Sequence, residues 1–134
     1  MIFINTSAWL ALADRHDRDH ARVLEISRRI ARGEFGKQVI TNYVVSETLT
    51  LIRRRPGLPA AVSLAKTFAT SAEVRLFWIE PVHHEEAVQH MAAHADKVWS
   101  VSDCTSFVVM RALGISNALA RDDDFAQAGF SVLP

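Results

Sequence analysis

Five oxygen-bearing side chains stand at the ends of elements that the sequence predicts or, for Glu47, one turn into one: Asn5, Glu47, Asp103, Asp122 and Asp124. Asn5 follows the apolar run Ile2-Phe3-Ile4, Glu47 interrupts the helical segment Tyr43 to Arg55, and Asp103 opens the segment Asp103 to Leu113. Asp122 and Asp124 follow Asn117-Ala118-Leu119-Ala120. Folded together, such carboxylates repel one another unless a hard cation lies between them, and an all-oxygen donor set suits Mg²⁺ or Mn²⁺. A cation held this way can neutralise a phosphodiester and activate water, so the protein need not supply a covalent nucleophile. Asn5 is the weak member, because an amide keeps one ligating oxygen, adds no charge, and turns N–H donors toward a cation.

Positioning these groups falls to short alternating elements. Ile2 to Ile4 is too short for a helix and has no polar interruption, which suits a strand covered on both faces. Thr6 to Ala13 reads as a helix capped by Thr6 or Ser7, followed by the polar break Asp14 to Arg18 and a helix of about Asp19 to Arg32, ended by Gly33 and Gly36. Gln38 to Thr41 is a second strand, and Asn42 is the expected cap of Tyr43 to Arg55, which Pro56-Gly57 stops. Pro59 starts a helix through about Thr70, Val74 to Glu80 reads as a third strand, and helices of about His84 to Ala95 and Asp103 to Leu113 follow. Ser102 is the expected cap of the last helix and Gly114 its stop; Asn117 to Ala120 and Ser131 to Leu133 are the closing strands. Strands alternating with helices predict a single α/β domain over residues 1–134, with a central, mainly parallel sheet of about five short strands. In such a sheet a site forms at the carboxyl ends of the strands near the switch point, where Asn5 falls.

Each candidate also has a plainer reading. On a helical wheel Val44, Val45, Thr48, Leu49, Leu51 and Ile52 span an arc of roughly 160°, with Glu47 about 40° beyond its edge. Glu47 therefore either reaches solvent or points into a cleft with a partner. Asp103 could serve only as a first-turn cap, and Asp122-Asp123-Asp124 could be a solvated turn. Arg53, Arg54 and Arg55 end one helix and Arg28, Arg29 and Arg32 another, a placement favourable to the helix dipole but equally suited to phosphate contact. His90 and His94 share a helix face at i, i+4, with Glu86 joining them. Lacking a Cys pair or a His-Glu-x-x-His pattern, they read as a solvated face rather than a zinc site. Trp9, Trp78 and Trp99 read as core or interface, and Cys104 as a small buried residue.

Composition narrows the class. Fifteen basic and fifteen acidic residues cancel, so net charge alone does not announce nucleic-acid binding, but acids gathered in one pocket would leave the remaining surface positive toward a polyanion. A lone cysteine and the absence of a secretory signal or a long apolar run imply a cytoplasmic protein with no membrane anchor.

Four blocks carry a family resemblance: Ile2-Phe3-Ile4-Asn5-Thr6-Ser7-Ala8-Trp9, Val45-Ser46-Glu47-Thr48, Val101 to Phe107, and Asp122 to Phe130. In this order and spacing, across essentially the whole chain, they resemble the PIN domain, specifically the VapC toxins of bacterial VapBC toxin-antitoxin pairs. The resemblance implies a three-layer α/β/α sandwich and an endoribonuclease that hydrolyses RNA phosphodiesters with Mg²⁺ or Mn²⁺. By position Glu47, Asp103 and Asp122 match family acids, with Asp124 an additional one. Asn5 stands where the pattern has Asp, Ala120 where many relatives have Thr, and Thr6 or Ser7 matches the hydroxyl residue that supports the first acid. The same likeness implies a cognate VapB-type antitoxin, a homodimer, and structured RNA targets such as the ribosomal sarcin-ricin loop or tRNA. Asn5 then signals impaired activity, arising either from natural loss or from a deliberate Asp→Asn change. The survival of the other acids favours the latter. A catalytically silent PIN-like module that binds RNA or a partner is the alternative. A metal-dependent phosphatase is disfavoured, since it would want Asp at position 5.

Overall fold

The computed structural model describes residues 1–133. Among these residues the strands are β1 (Ile2–Ile4), β2 (Gln38–Thr41), β3 (Val74–Phe77), β4 (Asn117–Leu119) and β5 (Ser131–Val132). The helices are α1 (Thr6–Ala13), α2 (His20–Ala31), α3 (Asn42–Arg54), α4 (Leu58–Thr70), α5 (Pro81–Ala93), α6 (Val101–Leu113) and α7 (Asp124–Gln127). All strands are parallel, in the order β3-β2-β1-β4-β5. The chain moves outward from β1 to β3, then returns to lay β4 on the other side of β1. Right-handed crossovers therefore put α1 to α4 on one face and α5 to α7 on the other, giving the three-layer α/β/α sandwich expected.

The apolar run of β1 is central and its three residues are buried. Phe3 stacks on Phe125, and Phe107 meets Phe125 edge-on with ring centroids 5.0 Å apart, so α6 and α7 are clamped to the sheet by one aromatic column. Trp9 and Trp99 are buried in the core, whereas Trp78, just beyond β3, is 67% exposed.

The structure corrects the sequence reading in several places, beginning with α1, whose N-cap is Asn5 rather than Thr6 or Ser7 because Thr6 already has helical geometry. Thr41, not Asn42, caps α3 by accepting a hydrogen bond from the Val44 N–H at 3.1 Å, which leaves Asn42 Oδ1 to accept from the Ile79 N–H at 2.6 Å and tie α3 to the end of β3. Ser100, not Ser102, caps α6, because the three-residue spacing from Ser100 to Asp103 closes a reciprocal capping box that Ser102 cannot make. Strand β3 ends at Phe77 and α5 begins at Pro81, whose fixed φ suits a first helical position. His90 and His94 do not form a solvated face: His90 stacks on Trp99, His94 Nδ1 bonds the His90 carbonyl at 2.7 Å, and burial, then Arg111 and His94, push the His90 pKa down.

Candidate active site

Register puts the site together. β1 and β4 run side by side with Ile4 opposite Leu119, and the Asn5 N–H donates to the Leu119 carbonyl at 3.0 Å, so the chain leaves both strands at one point. From there β1 feeds α1 on one face and β4 leads to α7 on the other, the geometry of a switch-point crevice. Asn5 is the N-cap of α1, directly after β1, and only 5% exposed, and its side chain makes no capping bond. The positive end of the α1 dipole lies beside it and favours an anion there.

Glu47 is exposed, as its place at the edge of the apolar arc allows, but its carboxylate is not loose. Thr6, buried directly after Asn5, donates to Glu47 Oε2 at 2.8 Å, and the buried Thr48 hydroxyl donates to Thr6 Oγ1 at 3.3 Å. This chain of hydroxyls binds α3 to the start of α1. Ser7 does something different: its Oγ accepts from the Arg121 N–H at 3.0 Å, holding the strand exit that leads to Asp122.

Asp103 is the third residue of α6 and completes the capping box begun by Ser100, close to its plainer reading. Its Oδ2 accepts from the Ser100 N–H at 2.9 Å while Ser100 Oγ accepts from the Asp103 N–H at 3.0 Å. The same carboxylate acts on its neighbours. Asp122 is an exposed residue overall, but its carboxyl is desolvated by the surrounding chain, and that, together with Asp103 and Asp123, raises its pKa against the hydrogen bonds that lower it. Desolvation also raises Asp124, followed by repulsion from Asp122, Asp103 and Asp123. Asp103 thus acts on both Asp122 and Asp124, which follow β4, the strand paired with β1 ahead of Asn5, while Glu47 is tied to Thr6.

A hard divalent cation fits this donor set in chemistry and in electrostatics: every donor is oxygen, and positive charge would relieve the repulsion. Coordination distance is another matter, since among the described residues no three His, Cys, Asp or Glu side chains are gathered closely enough to hold a metal ion. The position directly after β1 carries the uncharged Asn5.

Two further features were missed in the sequence. Arg121, only 23% exposed in its side chain, places its guanidinium 2.8 Å from both Asp17 and Asp19, so the polar break after α1 is pinned to the residue before Asp122. Three guanidinium groups, Arg121, Arg22 and Arg18, hold Asp19 below the usual carboxylate range, although desolvation is the largest influence and opposes them. An Asp-rich break with an Arg beside the late acids was the available signal. The second feature is a cleft of about 450 Å³ lined by Tyr43, Ser46, Glu47, Thr50, Arg54 and Ser102. Of the three successive arginines, Arg54 borders this cleft, Arg55 pairs with Asp14 at 3.3 Å, and Arg53 is exposed.

The PIN-domain family model matches residues 2–131. The chain belongs to the PIN-domain family. Among its PIN-domain relatives, the 23S rRNA-specific endonuclease VapC20 of Mycobacterium tuberculosis, from strains CDC 1551 and H37Rv, is 38% identical over 130 residues, 97% of this chain and 95% of the relative. The crystal structure of M. tuberculosis VapC20, a sarcin-ricin loop cleaving toxin, matches with a TM-score of 0.86 over 97% of this chain and 96% of that one. FitAcB from Neisseria gonorrhoeae shares the fold at a TM-score of 0.66 and 15% identity.

Proposed function

We propose that this PIN-domain protein is a VapC-type endoribonuclease toxin that cuts the sarcin-ricin loop of 23S rRNA, and that Asn5 impairs the form described. Similarity to VapC20 across nearly the full length of both chains supports the reading, and Asp122 and Asp124, each raised in pKa with Asp103 among the causes, carry the chemistry. Glu47, Asp103, Asp122 and Asp124 would hold Mg²⁺ or Mn²⁺ together with position 5. When bound, the cation supplies charge neutralisation at the scissile phosphate and acidification of water. The chain's own residues do the rest: Thr6 fixes Glu47, Ser7 and Arg121 fix the approach to Asp122, and Arg54 meets backbone phosphate from the cleft wall, with Arg53 and Arg55 flanking it.

The same reading supplies a VapB-type antitoxin that silences the cleft, a homodimer, and a cytoplasmic site of action where ribosomes are reached. Among the described residues no helix is long and apolar enough to cross a membrane. Asn5 itself favours a second reading, a catalytically silent module that binds RNA without cutting it. The two separate when the chain and its Asn5→Asp variant are incubated with total RNA and Mg²⁺ or Mn²⁺, with a chelator control, and cut ends are mapped. One dominant cut in the sarcin-ricin loop, made by Asn5→Asp and abolished by chelation, is expected. RNA binding by Asn5→Asp with no metal-dependent cut would establish the silent module instead.

A further inference from the structure

Helix α3 carries more than Glu47 on its crevice side. Tyr43, Glu47, Thr50 and Arg54 fall at i, i+4, i+7 and i+11, one stripe along the helix, and all line the cleft described above. Tyr43 also lines a neighbouring depression of about 400 Å³, shared with Ile79, Glu80, Pro81, His84 and Glu85. The tyrosine is thus the ridge between two hollows. Its hydroxyl is hydrogen-bonded to His84 Nδ1 at 2.8 Å, and the two rings meet edge-on with centroids 6.0 Å apart, so the aromatic plane is fixed from α5. One helical turn, about 6 Å at 1.5 Å per residue, separates Tyr43 from Glu47.

The charge of the two hollows differs. The Glu47 cleft has Arg54 in its wall, whereas the second hollow has Glu80 and Glu85 and no Lys or Arg. A phosphate is repelled from such a lining. A nucleobase is not, because it carries no charge, stacks on tyrosine or histidine, and can give amino N–H groups to carboxylates. Unpaired RNA is read by such stacking.

We infer that Tyr43, held by His84, is the stacking platform of a nucleobase subsite that receives an unpaired base next to the scissile phosphate, with Glu80 and Glu85 favouring a base bearing an exocyclic amino group. This rests on the ribonuclease reading and deepens it. Tyr43 and His84 would set register on the RNA, while the acids one turn away act on the backbone.

The chain as it stands, with Asn5, suits a binding test in which RNA is not consumed. A fluorescent sarcin-ricin hairpin RNA is titrated with the chain and its Tyr43→Leu, Tyr43→Phe and His84→Ala variants, each checked for an unchanged circular dichroism spectrum. The hairpin is then rebuilt with an abasic nucleotide at each unpaired position in turn. Tyr43→Leu is expected to weaken binding roughly tenfold, the scale of one base–aromatic stack, and Tyr43→Phe by less. One abasic position should weaken the parent by the same factor and leave Tyr43→Leu unaffected. Equal affinity of Tyr43→Leu and the parent overturns the inference while the ribonuclease reading stands, as do abasic penalties that multiply with Tyr43→Leu at every position. A change in the monomer–dimer equilibrium of Tyr43→Leu at constant RNA affinity assigns the ridge to a protein interface and overturns it too. Failure of the parent to bind the hairpin at all, with no cut by Asn5→Asp, sinks both.

Discussion

Replacing Thr6 with valine removes one hydroxyl from the middle of the Thr48–Thr6–Glu47 chain, and the cost can be worked bond by bond. The bond from Thr6 to Glu47 Oε2 is 2.8 Å long and goes to a carboxylate, a class that contributes about 1.5–3 kcal/mol when enclosed. Because Glu47 is exposed, water replaces most of that, leaving about 1 kcal/mol. The second term is the Thr48 hydroxyl, fully buried and 3.3 Å from Thr6 Oγ1, which loses its acceptor at a cost of about 1 kcal/mol. The sum is about 2 kcal/mol for Thr6→Val. Thr6→Ser, which keeps the hydroxyl, should lie about 1 kcal/mol above it in stability. Adding Thr48→Val removes the stranded donor and should recover about half of the loss, a departure from additivity that isolates the hydroxyl pair. Urea unfolding followed by circular dichroism reads these as shifts in midpoint at constant slope. In the Asn5→Asp background, Thr6→Val should also slow RNA cleavage, since Glu47 is no longer held. Stability of Thr6→Val equal to that of the parent, or strict additivity with Thr48→Val, would refute the reasoning.

Other consequences follow from the same geometry. Phe125→Ala empties a fully buried position between Phe3 and Phe107, and should cost about 3–5 kcal/mol in thermal or urea unfolding. Arg121→Ala leaves Asp17 without its guanidinium, while Asp19 keeps Arg18 and Arg22, and should lower the urea midpoint, with Arg121→Lys only a partial rescue because an ammonium cannot repeat the guanidinium fork. Asp124 has its pKa raised by desolvation and like charge, so the folded state holds its proton longer than the unfolded chain, and stability falls as pH rises through the elevated value. Asp124→Asn should therefore melt higher than the parent at pH 7, an advantage that shrinks as the pH is lowered toward the ordinary carboxylate value of 3.8; a constant difference across that range would count against the repulsion.

The alternation of strands and helices was legible because its signals are local, while the three-layer arrangement came from the family resemblance. A three-residue apolar run, Gly114 at a helix end and Pro59 in a helical first turn each act within a few neighbours, and the elements formed there. The caps were harder, because Thr41 against Asn42 and Ser100 against Ser102 are choices between polar residues one or two positions apart that only backbone geometry decides. Glu47 was placed at the edge of its apolar arc by periodicity, but nothing in a linear pattern joins it to Thr6, 41 positions away. The same limit hid Arg121, whose partners Asp17 and Asp19 come from the opposite end of the chain. Trp78 read as core or interface by its type and is exposed in this chain, since β3 is the sheet edge and the residue lies beyond its last pairing.

Direct binding of Mn²⁺, followed by electron paramagnetic resonance, addresses the central claim that position 5 and the neighbouring acids share one cation. The chain, its Asn5→Asp variant and the Asn5→Asp/Asp103→Asn double variant are compared at pH 7. A gain of about tenfold or more in affinity for Asn5→Asp, about 1.4 kcal/mol from one added charged ligand, is predicted, with the gain lost again in the double variant. Equal Mn²⁺ affinity in all three would contradict the account, because the acids would then not converge on position 5.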